Sequence, residues 1–178
     1  PRIVENMDKA GCRRLVVTGT VFEVDEGAGS GDLAAVSPYG LSKSLAWQIL
    51  RFYAQRAGLS LGKFVIPNPF GPHEEPRFTA YLMRTWMSGE VATVGTPDYV
   101  RDNIHVSLLA RCYANFVATL PAEAGIRTMN PSGYVESQGA FAQRVAAAMR
   151  PRLRRPCELI LARQSDFCGR VFGQARTA

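Results

Sequence analysis

At 178 residues, 47% hydrophobic and 20% charged, the chain can bury one substantial core, or one domain plus part of a second. No apolar run approaches the roughly 20 residues that cross a bilayer, and no basic-then-apolar leader follows Pro1. The net charge of +6 would suit nucleic acid, but the aromatic residues do not alternate with the basic ones as a base-stacking platform requires, so neither nucleic acid nor membrane is expected as a partner.

Ile3 to Ala10 reads as a helix tail that Gly11 ends. Arg14 to Thr18 is a nearly continuous apolar run of the kind buried on both faces of a parallel sheet. The glycine-rich, acidic stretch from Val24 to Asp32 predicts an exposed loop. Ser37 can cap the next helix and Pro38 suits its first turn. That helix is expected to run to about Ala57, with Leu45, Ile49 and Phe52 marking one face, and Gly58 stops it. Leu59 to Ile66 reads as a second strand, broken by Pro67-Asn68-Pro69.

A third helix is expected over Phe78 to Met87 and a strand over 91–94. After D-Y-V-R-D-N-I-H-V at 98–106, an amphipathic helix is expected from Ser107 to Leu120 and a strand over 126–130. A helix is placed within Gly133 to Met149, and a last short strand over Glu158 to Leu161. The arginine-rich run from Arg150 to Pro156 reads as a solvated connection. Strands alternating with helices argue for an α/β class with parallel pairing, and a compact boundary is expected near residue 72.

Cys12, Cys112, Cys157 and Cys168 are scattered without a C-x-x-C pair, and only His73 and His105 could join them as metal ligands. No metal site is therefore expected, and isolated thiols fit a reducing, cytoplasmic setting. His73 with Glu74 and Glu75 reads as a loop, and His105 as a packed histidine.

The segment S-P-Y-G-L-S-K sets Tyr39 and Lys43 four apart at a helix start, where they share one face. A free tyrosine titrates near pH 10, about three units too high for a base at neutral pH, and a nearby ammonium favours the phenolate. Alone, Y-x-x-x-K describes two surface residues equally well. Its surroundings add meaning: R-L-V-V-T-G-T ends in the hydroxyls of Thr18 and Thr20, at the carboxyl edge where open parallel sheets bind ligands.

T-G-T, S-P-Y-G-L-S-K, I-P-N-P-F-G-P and V-R-D-N-I-H-V, in this order and spacing, resemble the extended short-chain dehydrogenase/reductase family. Within it, residues 1–162 are most similar to the NAD-dependent nucleotide-sugar epimerases, dehydratases and reductases. The resemblance implies an α/β fold: the second half of a Rossmann-like parallel sheet over 1–72, then over 73–178 a small mixed substrate-binding region with returning sheet segments. It also implies a Ser/Thr–Tyr–Lys triad at Thr20, Tyr39 and Lys43. Tyr39 would exchange a proton with the sugar, Lys43 would bind the nicotinamide ribose, and Thr20 would hold the reacting oxygen. Thr18 and Pro67 would line the cofactor, NAD or NADP. Asn68 and Arg101 would contact the nucleotide-sugar substrate, Arg101 pairing with its diphosphate. A homodimer is implied, through two helices per subunit that include Tyr39 to Ala57.

Departures from the family pattern shape the expected activity. The dehydratase branch carries an Asp-Glu pair where Val21 and Phe22 stand here, so a 4-epimerase or 4-keto reductase is expected, with Glu23 a candidate stand-in acid. A reductase of a non-nucleotide carbonyl compound and a non-catalytic binding protein remain open beside it. Ser165 to Ala178 match nothing in the family. No glycine-rich turn opens a helix to cradle a pyrophosphate; G-A-G-S-G at 27–31 lacks the helix. The chain thus resembles a C-terminal portion lacking at least two βαβ units, with the strand at 14–18 left at a sheet edge. This chain alone is expected to bind dinucleotide poorly and to be inactive: titration calorimetry with NAD and NADP should show no micromolar binding, and micromolar affinity would overturn that expectation.

Overall fold

The computed structural model describes residues 2–26, 35 and 37–163. Most of the loop expected over 24–32, and the tail from Ser165, lie outside them. In chain order the elements are α1 (Arg2–Lys9), β1 (Arg14–Thr20), α2 (Pro38–Arg56), β2 (Ser60–Ile66), β3 (Asn68–Phe70), α3 (Phe78–Met87), β4 (Ala92–Val94), β5 (Val100–His105), α4 (Val106–Thr119), β6 (Gly125–Met129), β7 (Tyr134–Ser137), α5 (Gln138–Leu153) and β8 (Leu159–Leu161). The chain divides into two compact units, Pro1–Pro67 with Ser107–Pro131, and Asn68–Val106 with Ser132–Ala178.

In the first unit β2 lies between β1 and β6, and both pairings are parallel. The near-continuous apolar sequence of β2 suits this central place, since all its residues but Ile66 are buried. Alternation sends Leu61 to one face, where it packs with Val4 of α1, Ala54 of α2 and the flanking Leu15, Val17 and Trp47. Phe64 points to the other, edge-on to Tyr113 of α4 with centroids 4.9 Å apart. Complete burial of a phenylalanine contributes roughly 1.5–3 kcal/mol. Gly62 is small because Phe116 of α4 lies over it: a Cβ there would stand 2.8 Å from the ring. Helices thus cover both faces of a three-stranded parallel sheet, the expected α/β class. β1 is an edge strand among the described residues, paired with β2 alone.

Ser37 starts α2 as its sequence suggests, its Oγ accepting the Gly40 N–H at 3.1 Å, with Pro38 in the first turn. Leu45, Ile49 and Phe52 do share a face of α2, joined by Leu41, and that face is exposed.

The second unit holds a mixed sheet and a two-stranded one. β5 pairs parallel with β3 and antiparallel with β7, while β4 pairs parallel with β8. Its core joins Leu82 and Trp86 of α3, Ala92 and Val94 of β4, and Ala142 and Ala146 of α5. Two local expectations need correction here, and one strand, β7, lay outside them. Pro67 ends β2 as expected, but Asn68 and Pro69 then open a new strand, β3, which lies at an edge among the described residues, a place where proline is tolerated. β7 is too short and too exposed to show an alternating pattern. Helix α5 carries on through Pro151 to Leu153, so Arg150 and Arg152 form its last turn, where cations favour the helix C-terminus, and only the residues after Leu153 connect.

A Cβ at residue 40 would stand 2.0 Å from the backbone oxygen of Phe22. Gly40→Ala should therefore cost about 2–3 kcal/mol in chemical denaturation, whereas Gly125→Ala, with open space around it, should change stability by less than about 0.5 kcal/mol.

Candidate functional site at the rim of the first unit

β1 delivers Thr18 and Thr20 to the carboxyl rim of the sheet, on the face that carries Val16 and Phe64. Thr20 is buried, and the turn after it is tightly held. Val21 N–H donates to Ile66 O at 3.3 Å. The Thr20 hydroxyl oxygen turns over the rim, 3.5 Å from Phe22 N. From the other face α2 reaches the same turn, with Gly40 against the Phe22 carbonyl. Ser44 fastens the two together: its Oγ donates to Gly40 O at 3.1 Å and accepts Val24 N–H at 2.9 Å. Tyr39 adjoins Gly40, its side chain exposed, and Lys43 follows one turn later, half-buried. Through the contacts Thr20–Phe22 and Phe22–Gly40 the end of β1 and the first turns of α2, which carry Tyr39 and Lys43, lie close together. A hydroxyl and a phenol can both hydrogen-bond one substrate oxygen.

Beneath the rim lies a group that sequence reasoning missed. Lys63 is almost fully buried in β2; its Nζ lies 2.7 Å from Glu23 Oε2 and 2.6 Å from Glu26 Oε1. The aligned hydrogen bond goes to Glu26, while the Glu23 contact is a close ion pair. Nζ also stands 5.2 Å from the Trp47 ring centroid. Glu23 Oε1 accepts Thr20 N–H at 2.8 Å, so this carboxylate is committed to structure on both oxygens and is not a free acid. The signal was present: a lysine inside S-L-G-K-F-V-I is a buried charge that demands a partner. A cleft of about 480 Å³, lined by Glu23, Ser44, Trp47, Arg51 and Lys63 among others, opens beside it.

Pro67, buried, closes the first unit after β2. Asn68 and Arg101 belong to the second unit. Asn68 Nδ2 donates to Asp102 O at 3.4 Å, and Arg101 sits on β5 opposite Glu136. Burial pushes the Arg101 guanidinium below its ordinary value, with Tyr99 pulling it back up. His105 packs edge-on to Phe70 at 5.3 Å. The Glu74 carboxylate accepts the Thr79 hydroxyl and the Gly71 N–H, which ties it to its own loop. An apolar cleft of about 670 Å³, lined by Phe70, Met83, Tyr134 and Phe141 among others, lies in this unit.

Replacing Lys63 by Met would strand two acids below the rim; unfolding free energy should fall by about 3–5 kcal/mol. Arg77→Ala, which breaks the exposed 3.4 Å pair with Glu75, should alter it by no more than about 0.5 kcal/mol.

A family model described as the NAD dependent epimerase/dehydratase family matches residues 1–130. No curated protein matches the chain. Among solved structures, the chain is similar to UDP-glucose 4-epimerase of Thermus thermophilus in complex with NAD, with TM-score 0.62, 22% identity, and coverage of 92% of this chain and 56% of that one. UDP-glucose 4-epimerase of Thermotoga maritima with UDP-glucose gives TM-score 0.68 and 20% identity, covering 92% and 55%. dTDP-glucose 4,6-dehydratase of Bacillus anthracis in complex with NAD gives 0.68 and 20%, covering 92% and 54%. At these identities the likeness is one of fold, and the chain spans little more than half the length of each.

Proposed function

The chain belongs to the NAD dependent epimerase/dehydratase family, and we propose that it carries the proton-transfer machinery of a nucleotide-sugar 4-epimerase or 4-keto-sugar reductase. The observation that supports this most is the seating of Gly40 on the Phe22 carbonyl, because it fixes Tyr39 and Lys43 at the rim where Thr20 ends β1. Tyr39 takes the proton of the sugar C4 hydroxyl as the C–H bond gives up its hydride, and returns that proton when a ketone is reduced. Thr20 hydrogen-bonds the same oxygen. Lys43 donates to ribose hydroxyls.

The rim fits the nicotinamide end of NAD or NADP: Lys43 offers donors, Thr18 a hydroxyl, and buried Pro67 an apolar wall. The nicotinamide, when bound, accepts and returns hydride. Asn68 and Arg101 of the second unit are proposed to contact the substrate, the guanidinium fork suiting a diphosphate. With Val21 and Phe22 after Thr20, and Glu23 bound to Lys63, no free acid at these positions serves a dehydration. Exposed Leu41, Leu45, Ile49 and Phe52 on α2 support a homodimer through this helix in the whole protein. Among the described residues no helix is long and apolar enough to cross a membrane, and the cysteines at 12, 112 and 157 are free thiols; the proposed setting is the cytoplasm.

The test is turnover of UDP- or dTDP-hexoses with NAD or NADP by the protein at its natural length. Tyr39→Phe should lower kcat by about 100-fold or more with KM little changed. Arg101→Ala should raise KM for a nucleotide sugar by about 10- to 100-fold and leave a neutral carbonyl substrate unaffected. Undiminished turnover in Tyr39→Phe would overturn the catalytic reading.

A further inference from the structure

Stability alone does not account for the buried cluster of Lys63, Glu23 and Glu26, since apolar residues of similar volume in place of all three together do as well or better. What distinguishes Lys63 is the object it holds. Glu23 engages both backbone groups of Thr20: its Oε1 accepts the Thr20 N–H at 2.8 Å, and its own N–H donates to Thr20 O at 3.1 Å. Val21 N–H points at β2, so by alternation the Thr20 N–H points to the other side of β1, where no described strand pairs with it. Glu23 satisfies that donor. Lys63 holds the second Glu23 oxygen and also Glu26, whose other oxygen accepts Asn130 Nδ2 at 3.0 Å just beyond β6. One chain of contacts therefore straps the rims of β1, β2 and β6.

We propose that Glu23, anchored by Lys63, is a positioning residue that fixes the carboxyl end of β1 and with it the Thr20 hydroxyl. Gly19 belongs to the same device. A Cβ there would stand 2.7 Å from Glu23 Oε1 and 2.8 Å from Lys63 Cε, so the strand gives up a side chain to admit the pair. The catalytic part of this inference rests on the reading of Thr20 given above; the positional part does not.

Residue-resolved amide exchange of the full chain tests the positional part. Glu23→Ala removes the acceptor while Lys63 keeps Glu26, and it should speed Thr20 exchange by about 10- to 100-fold. The Leu61 and Phe64 amides of β2 should be unaffected. Glu23→Gln keeps one oxygen for Thr20 but turns an NH2 toward Lys63 Nζ, so Thr20 should exchange faster than in the parent and slower than in Glu23→Ala. Gly19→Ala, a second route to displacing the carboxylate, should speed Thr20 exchange and add little on top of Glu23→Ala. Thr20 exchange unchanged in Glu23→Ala, or equally fast in Glu23→Gln and Glu23→Ala, would overturn the proposal. In the protein at natural length, Glu23→Ala should lower kcat by about tenfold with KM kept, and Glu23→Gln should restore part of it. Full kcat in Glu23→Ala where Tyr39→Phe is inactive would overturn the positioning role. Turnover surviving Tyr39→Phe would instead sink the catalytic reading and leave the exchange result standing.

Discussion

A carbonyl oxygen, that of Phe22, occupies the space where any side chain at residue 40 would begin. Backbone cannot yield as a flexible side chain can, so the first turn of α2 has one distance of approach to the turn that follows β1. Ser44, a turn later on the same helix face, repeats the connection with two hydrogen bonds. The positions of Tyr39 and Lys43 follow from this seat, because a helix fixes where residues one before and three after Gly40 project. The geometry is imposed by packing and does not need an ion pair or hydrogen bond at the phenol itself.

The buried charges below the rim obey a different logic. Desolvating Lys63, Glu23 and Glu26 costs several kcal/mol per ion, which only a well-connected network offsets. The connections run to backbone as well as between side chains: Thr20 N–H on one oxygen, an ammonium against both carboxylates, and an aromatic face beside it. Such a network confers little net stability but penalises displacement strongly, since a shifted carboxylate leaves a buried ammonium and an orphaned amide together. Stiffness at one point of the rim is what this exchange of terms supplies, and the point is the residue that ends β1.

Much of this fold was legible in sequence wherever one physical cue dominated. The Ser37-Pro38 start of α2, the apolar runs of β1 and β2, and the limits of α3 each rest on a cap, a continuous apolar run or a period that nothing local opposes. Tertiary context prevailed elsewhere. Pro69 reads locally as a strand breaker, yet edge placement in a second sheet removes the penalty. β7 is exposed over half its length and leaves no alternation to find. For the candidate site, motif spacing located Thr20, Tyr39 and Lys43 on their elements. Glu23 finds its partner Lys63 on a different strand, far along the chain, and a contact of that kind is invisible to any local pattern. The lysine itself was the available clue, since its charge is incompatible with the run around it unless something distant neutralises it.

Helix α2 shows why periodicity alone could not separate core from surface. Leu41, Leu45, Ile49 and Phe52 recur at helical spacing, as a core-facing stripe would, yet each is about half exposed. The face turned to the sheet is built instead from Gly40, Ser44 and Ala54, all buried, with Trp47 and Leu50 flanking. Small residues there let the helix approach the β1 turn closely, which the seat on Phe22 requires, and they forfeit apolar area in doing so. An apolar stripe records that a helix face is to be covered, and not by what. In this helix the two demands separate: the close-packed face sets where Tyr39 and Lys43 stand, and the bulky face is exposed.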